Sequence, residues 1–167
     1  NGAREYLKLE QNTPVIFILG GSQGSATIND TIIEALPDLL NRYQVIHQTG
    51  RANIEEILTT SSMILKDHPY KDRYHPFDYL QELAMRMASG VADVIISRAG
   101  SQIFEIAAWG VPSILIPLPQ AISHDQTTNA FAYAHSGAAS VIEETNLHAH
   151  ILAGEIDRIY NSPEIKE

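Results

Sequence analysis

Gly20-Gly21-Ser22-Gln23-Gly24-Ser25 is the stretch whose residue types point most directly to chemistry, because it joins an apolar run to a helical pattern. Residues 15–19 read Val-Ile-Phe-Ile-Leu, the short unbroken run expected of a strand buried on both faces. Apolar residues then recur at helical spacing over residues 25–40 (Ile28, Ile32, Ile33, Leu36). Glycine omits the Cβ where backbone must turn sharply or approach a ligand closely. A helix that starts at such a turn presents free N–H groups and the positive end of its dipole to any anion above the strand, and phosphate is the usual occupant. Two common phosphate motifs are excluded. The turn lacks the G-x-G-x-x-G spacing with a following acidic strand end, and it has no lysine to complete a P-loop. A glycine turn that only packs a helix tightly on a sheet stays open on these residues alone.

Three further clusters carry polar chemistry. Ser97-Arg98-Ala99-Gly100-Ser101 is a second turn after an apolar run, and it places Glu105 among Ile103, Phe104, Ile106, Ala107, Ala108 and Trp109 at the start of a helix. A carboxylate there either accepts two hydrogen bonds from a vicinal diol such as a ribose or complements the helix dipole. Arg98 either reaches a phosphate or pairs with an acid. Gln126-Thr127-Thr128-Asn129-Ala130, preceded by His124 and Asp125, offers amides that match sugar hydroxyls without charge, while Asp125 and Asn129 equally suit helix capping. The seven histidines show no H-E-x-x-H pair, and no G-x-S-x-G elbow is present, so neither a metal site nor a hydrolase triad has support.

These clusters must be positioned by an alternating series of strands and helices. After the first strand and helix, residues 43–48 read as a strand ending at Thr49-Gly50, and residues 53–58 as a helix. Residues 60–76 are punctuated by polar residues and prolines, with a short strand near 73–77. A helix follows from Leu80 through Ala88, stopped by Gly90, and then a strand over 91–97. Beyond it come a helix over 103–109 closed by Gly110, a strand at 113–116, a loop over 117–123, a helix over 126–135 ended by Gly137, a strand at 139–142 and a last helix over 148–160. The fold class is therefore α/β, a Rossmann-like doubly wound parallel sheet of about six strands. In such a sheet ligands bind at the carboxyl ends of the strands, which gathers residues 20–25, Thr49-Gly50, residues 97–105 and residues 117–129 onto one rim.

Composition narrows the partners. The 167 residues are 44% hydrophobic and 19% charged, an ordinary globular balance sized for one domain. With 11 Lys+Arg against 20 Asp+Glu the net charge is -9, which argues against a broad electrostatic grip on nucleic acid or anionic lipid. Cysteine is absent, and the apolar runs are too short to cross a bilayer. The sequence starts at Asn1-Gly2-Ala3-Arg4 and ends at Ile165-Lys166-Glu167 in helix-like chain, as expected of a domain cut from a longer protein.

Taken in order, Asn1-Gly2-Ala3-Arg4, Gly20-Gly21-Ser22-Gln23-Gly24, His47-Gln48-Thr49-Gly50, Ser97-Arg98-Ala99-Gly100, Glu105-Ile106-Ala107-Ala108 and Gln126-Thr127-Thr128-Asn129-Ala130 closely resemble the carboxyl-terminal domain of the MurG family of bacterial peptidoglycan glycosyltransferases. The resemblance runs from Arg4 to about Glu143. It implies one half of a GT-B glycosyltransferase that moves GlcNAc from UDP-GlcNAc to the 4-hydroxyl of the MurNAc unit of lipid I, with inversion and without metal or other cofactor. Residues 1–167 would be a single UDP-sugar-binding domain. Acceptor, membrane surface and catalytic base would belong to an amino-terminal domain outside these residues, so the chain alone would bind donor without turnover. The whole protein would be cytoplasmic, peripheral at the inner face of the plasma membrane.

Carried over residue by residue, the resemblance puts Arg4 near the nucleotide and gives the diphosphate to Ser22 with the backbone of Gly21, Gln23 and Gly24. Glu105 takes the ribose, Gln126 and Asn129 lie near the donor sugar, and residues 77–80, starting at Phe77, enclose the uracil. Arg98 is a further binding candidate. The chain departs from the family by one residue fewer between Gly100 and Glu105 and by Asp125 where many members have His. Another GT-B transferase with a different UDP-sugar, or a non-catalytic nucleotide-binding domain on the same sheet, would share many of these features.

Overall fold

Strands β1 (Val15–Leu19), β2 (Gln44–Gln48), β3 (Tyr74–Phe77), β4 (Val94–Ser97), β5 (Ser113–Leu115) and β6 (Ala139–Val141) form one parallel sheet in the order β3-β2-β1-β4-β5-β6. This arrangement comes from a computed structural model that describes residues 2–20, 26–98, 106, 108–117 and 139–162. The helices among them are α1 (Gly2–Tyr6), α2 (Ala26–Leu39), α3 (Ile54–Ile64), α4 (Glu82–Val91) and α5 (Ala149–Tyr160), and Ile106, Ala108 and Trp109 are also helical. The expected doubly wound α/β sheet of six strands is thus present. The expected helix over 126–135, and most of the loop before it, lie outside the described residues.

β1 explains the layering. All five of its residues are buried, so its two faces must each be covered. Ile16 and Ile18 point to one side with Val45, Val94, Ile96 and Ile114, where Ile28, Ile32, Leu36 and Leu39 of α2 and Leu152, Ile156 and Ile159 of α5 close the core. Val15, Phe17 and Leu19 point to the other with Ile46, Ile95 and Leu115, covered by Leu7, Leu9, Leu80, Ala88 and Ile106. The period of two along the strand and the i, i+4 repeat along α2 therefore meet in one packed layer. Each fully buried Ile or Leu contributes roughly 1.5–3 kcal/mol relative to exposure. β3, with Pro76, and the half-buried β6 form the edges, where a missing ladder N–H is tolerated.

The structure moves several boundaries. α3 continues to Ile64, through Thr60-Ser61-Ser62, which the residue types assign to irregular chain. Ile57, Ser61 and Leu65 recur every four residues and are buried, so packing overrides the weak helix propensity of that run. α4 does not stop at Gly90 but runs through it to Val91, and β4 begins only at Val94. Gly110 does end a helical stretch, at a φ of 70° that favours glycine.

Candidate functional site

Strand order reverses direction between β1 and β4: the chain runs from β1 outward to β2 and β3, then returns beside β1 and runs outward through β5 and β6. In open α/β sheets the crevice outside the carboxyl ends of two strands at such a reversal is where ligands are held. Gly20, which follows β1, and Arg98, which follows β4, flank that crevice; Leu19 and Ser97 pair directly in the sheet. Gly21, Ser22, Gln23, Gly24, Glu105, Gln126 and Asn129 lie outside the described residues. Their anchoring points do not: α2 begins at Ala26, directly after the glycine turn, and Ile106 next to Glu105 is buried and helical.

The segment His47-Gln48-Thr49-Gly50 ties this rim together. The Gly20 N–H donates to Gln48 O at 3.1 Å, the Thr49 N–H to Phe77 O at 2.8 Å and the Gly50 N–H to Asp78 O at 3.0 Å. Gln48 Oε1 accepts from the Leu80 N–H at 3.0 Å. Thr49 O accepts from two side-chain amides, Asn29 Nδ2 on α2 at 3.0 Å and Asn53 Nδ2 before α3 at 3.1 Å. Gly50, at a φ of 90°, provides the left-handed turn that brings the segment back toward α3. Phe77 is half-buried and its carbonyl is engaged here, so residues 77–80 are held against the end of β2 at the rim. Arg51 stacks its guanidinium 5.1 Å from the Tyr79 ring centroid at the same lip.

Beneath this turn His47 is wholly buried. Its Nδ1 lies 2.7 Å from the Tyr74 hydroxyl and its Nε2 lies 2.8 Å from Asn29 Oδ1. Burial without a charged partner pushes the imidazole pKa down to about 3, and burial likewise raises that of Tyr74. Both groups are neutral near pH 7. None of Asn29, Asn53, Arg51 or Tyr74 stands out from the sequence as a site residue. The H-Q-T-G stretch was the one available signal, and it pointed to the turn without naming its partners.

Arg98 is held by the protein. One guanidinium nitrogen donates to Glu144 Oε1 at 2.7 Å and another to Ile116 O and Pro117 O at 3.3 and 3.2 Å. Its side chain and that of Glu144 are 16% and 19% exposed, so the pair is shielded enough for charge-assisted bonding to matter. Of the two roles open from the sequence, the structure shows the ion pair, and with it a clamp on the chain leaving β5. Arg4 is elsewhere. It donates to Glu10 O and to Thr13 O, beside Gln44, at the amino ends of β1 and β2. The structure therefore does not bring Arg4 to the carboxyl ends of the strands, where Phe77 and Arg98 lie. Among the described residues no group of three or more His, Asp or Glu is placed to hold a metal ion.

Comparison with known proteins follows the same outline. The Glycosyltransferase family 28 C-terminal domain profile matches residues 15–167. A UDP-N-acetylglucosamine--N-acetylmuramyl-(pentapeptide) pyrophosphoryl-undecaprenol N-acetylglucosamine transferase from Clostridium novyi is 37% identical over 96% of this chain and 43% of its own length. One of the same name from Thermodesulfovibrio yellowstonii is 38% identical over 98% of this chain and, again, 43% of its own. The crystal structure of MurG from Acinetobacter baumannii superposes with a TM-score of 0.77 at 26% identity, covering 98% of this chain and 46% of that one. The chain thus spans less than half the length of the relatives it matches. The match along nearly the whole chain, on a sheet whose switch point carries the glycine turn, places it in the glycosyltransferase family 28 C-terminal domain family, in accord with the MurG resemblance.

Proposed function

We propose that this chain is the donor-binding half of a GT-B transferase that moves GlcNAc from UDP-GlcNAc to the MurNAc 4-hydroxyl of lipid I. The observation that carries the reading is the switch point between β1 and β4, where Gly20 and Arg98 follow the paired strand ends Leu19 and Ser97 and α2 begins at Ala26. UDP spans it in this proposal. The N–H groups of residues 21–24, with the Ser22 hydroxyl and Gln23, face the diphosphate at the positive end of α2. Glu105 accepts from the ribose hydroxyls, residues 77–80 enclose the uracil, and Gln126 and Asn129 bind the sugar. Arg98 serves through the carbonyls and Glu144 that it already holds, and Arg4, at the far end of the sheet, is not part of this donor contact set.

Transfer then proceeds by one displacement with inversion. The acceptor oxygen forms a bond to the anomeric carbon as the bond from that carbon to the β-phosphate oxygen breaks, and the acceptor proton passes to a base. Charge grows on the β-phosphate as UDP leaves. Preset N–H donors stabilise it without a metal, since they need no reorganisation when the charge appears. The base and the lipid-linked acceptor belong to a separate domain in this proposal, which would also make the membrane contact at the cytoplasmic face.

Isothermal titration calorimetry of the chain with UDP, UDP-GlcNAc, UDP-galactose and NAD tests the reading. UDP and UDP-GlcNAc should bind and NAD should not; Glu105→Ala should weaken UDP by roughly tenfold or more, as for loss of hydrogen bonds to a charged group. Preference for UDP-galactose would shift the chain to a different GT-B transferase. Absence of any UDP binding would remove the proposal.

A further inference from the structure

We propose that His47 is a positioning residue for the diphosphate turn, acting through Asn29 on the first turns of α2 to hold that helix in register with the Thr49 hub; this rests on the donor-site reading above. The hydrogen-bond pattern fixes the roles of each atom. Thr49 O can only accept, so the Asn29 amide must turn its Nδ2 toward Thr49 and its Oδ1 toward His47. Oδ1 in turn can only accept, so the hydrogen of the neutral imidazole sits on Nε2. Nδ1 is then the acceptor for the Tyr74 hydroxyl. The result is a directed chain, Tyr74 O–H to His47, His47 N–H to Asn29, and Asn29 N–H to Thr49 O, that crosses from edge strand β3 through β2 to α2 and back to the end of β2.

Its location gives it a consequence for binding. Asn29 lies three residues into α2 from Ala26, so whatever fixes Asn29 fixes the helix start that follows the glycine turn. Thr49 O, the last acceptor, belongs to the segment whose Gln48 O receives the Gly20 N–H on the other side of that turn. The relay therefore grips the chain both before and after residues 21–25. His47 and Asn29 are 0% and 1% exposed, so neither can exchange its partner for water, and an unmade bond would leave a buried polar group unsatisfied. A group that only filled the core would not require a particular hydrogen on a particular nitrogen.

That requirement separates positioning from packing. In His47→Gln the side-chain amide nitrogen can take the place of Nε2 and still donate to Asn29, whereas His47→Phe keeps the ring shape and loses the donor. UDP affinity by calorimetry, and amide hydrogen exchange at Gly20, Thr27, Ile28, Asn29 and Gly50 in the ligand-free chain, are measured for wild type and both variants. The expected result is that His47→Phe binds UDP at least tenfold more weakly and exchanges these amides at least tenfold faster, while His47→Gln stays within about threefold of wild type on both measures. If His47→Phe does not fold, Asn29→Ala, which removes the bond to His47 together with the bond to Thr49 O from the helix side, carries the same expectation. A folded His47→Phe with wild-type affinity and exchange would overturn the proposal, as would a His47→Gln as impaired as His47→Phe. If wild type itself binds no UDP, the donor-site reading fails, and the exchange comparison still decides whether His47 orders the turn.

Discussion

His47 shows how a single buried side chain links the sheet to acid sensitivity. Its imidazole is held neutral, with a pKa lowered from an ordinary value near 6.5 to about 3, because burial penalises the charged form. The unfolded chain therefore binds a proton that the folded chain refuses over that interval. Stability contributed in this way is fully present above pH 6.5 and is lost as pH falls toward 3, at up to about 1.4 kcal/mol per pH unit for one proton. His75, lowered by burial, acts in the same sense, and Glu10, lowered first by its hydrogen bond from Arg73, does so at more acid pH. Urea unfolding at pH 7, 6, 5 and 4 should accordingly show a falling stability in wild type and a shallower fall in His47→Gln. Equal slopes in the two proteins would mean that His47 is not the neutral donor described above. Arg98 makes a related point about reading residue types: a conspicuous cation beside a candidate phosphate site donates to Glu144 and to two carbonyls.

At the scale of elements, what the sequence reveals depends on whether the cause is local. β1 and α2 were readable because five apolar residues in a row and an i, i+4 repeat are themselves the packing surfaces. The last turn of α3 was not, because Thr59-Thr60-Ser61-Ser62 is a poor helix former whose cost is offset only by the burial of Ile57, Ser61 and Leu65. Gly90 misled for the opposite reason. It is a reasonable stop signal, yet α4 continues past it, and a Cβ there would meet no atom within 4 Å. The same space surrounds Gly154 within α5. Gly90→Ala and Gly154→Ala should each raise stability by about 0.4–1 kcal/mol, chiefly by restricting the unfolded chain. Thermal melts of the two variants check this, and a lowered Tm would show that one of these helices needs glycine for a reason other than its own backbone. The partners of His47 were invisible for a third reason: Asn29 and Tyr74 are 18 and 27 residues away and meet it only through the strand register and the seating of α2.

For the whole molecule, the order β3-β2-β1-β4-β5-β6 turns scattered motifs into one rim. The glycine turn, the H-Q-T-G segment, residues 77–80 and the Arg98 turn all follow the carboxyl ends of their strands, while Arg4, Glu10 and Gln44 form a separate polar knot at the amino ends. The glycine turn and the Arg98 turn were legible in the sequence because each follows an apolar run, β1 and β4. The knot was not, since it depends on how residues 7–14 fold back beside β2. The central claim is that nucleotide sugar is bound at the carboxyl rim across the β1–β4 crevice. Titrating the nitrogen-15-labelled chain with UDP-GlcNAc and following its amide resonances tests this most directly. Saturable shifts are predicted at Gly20, Thr49, Gly50, residues 77–80 and Arg98, with Arg4, Glu10 and Gln44 unmoved; saturable shifts confined to those amino-end residues, or none at all, would contradict it.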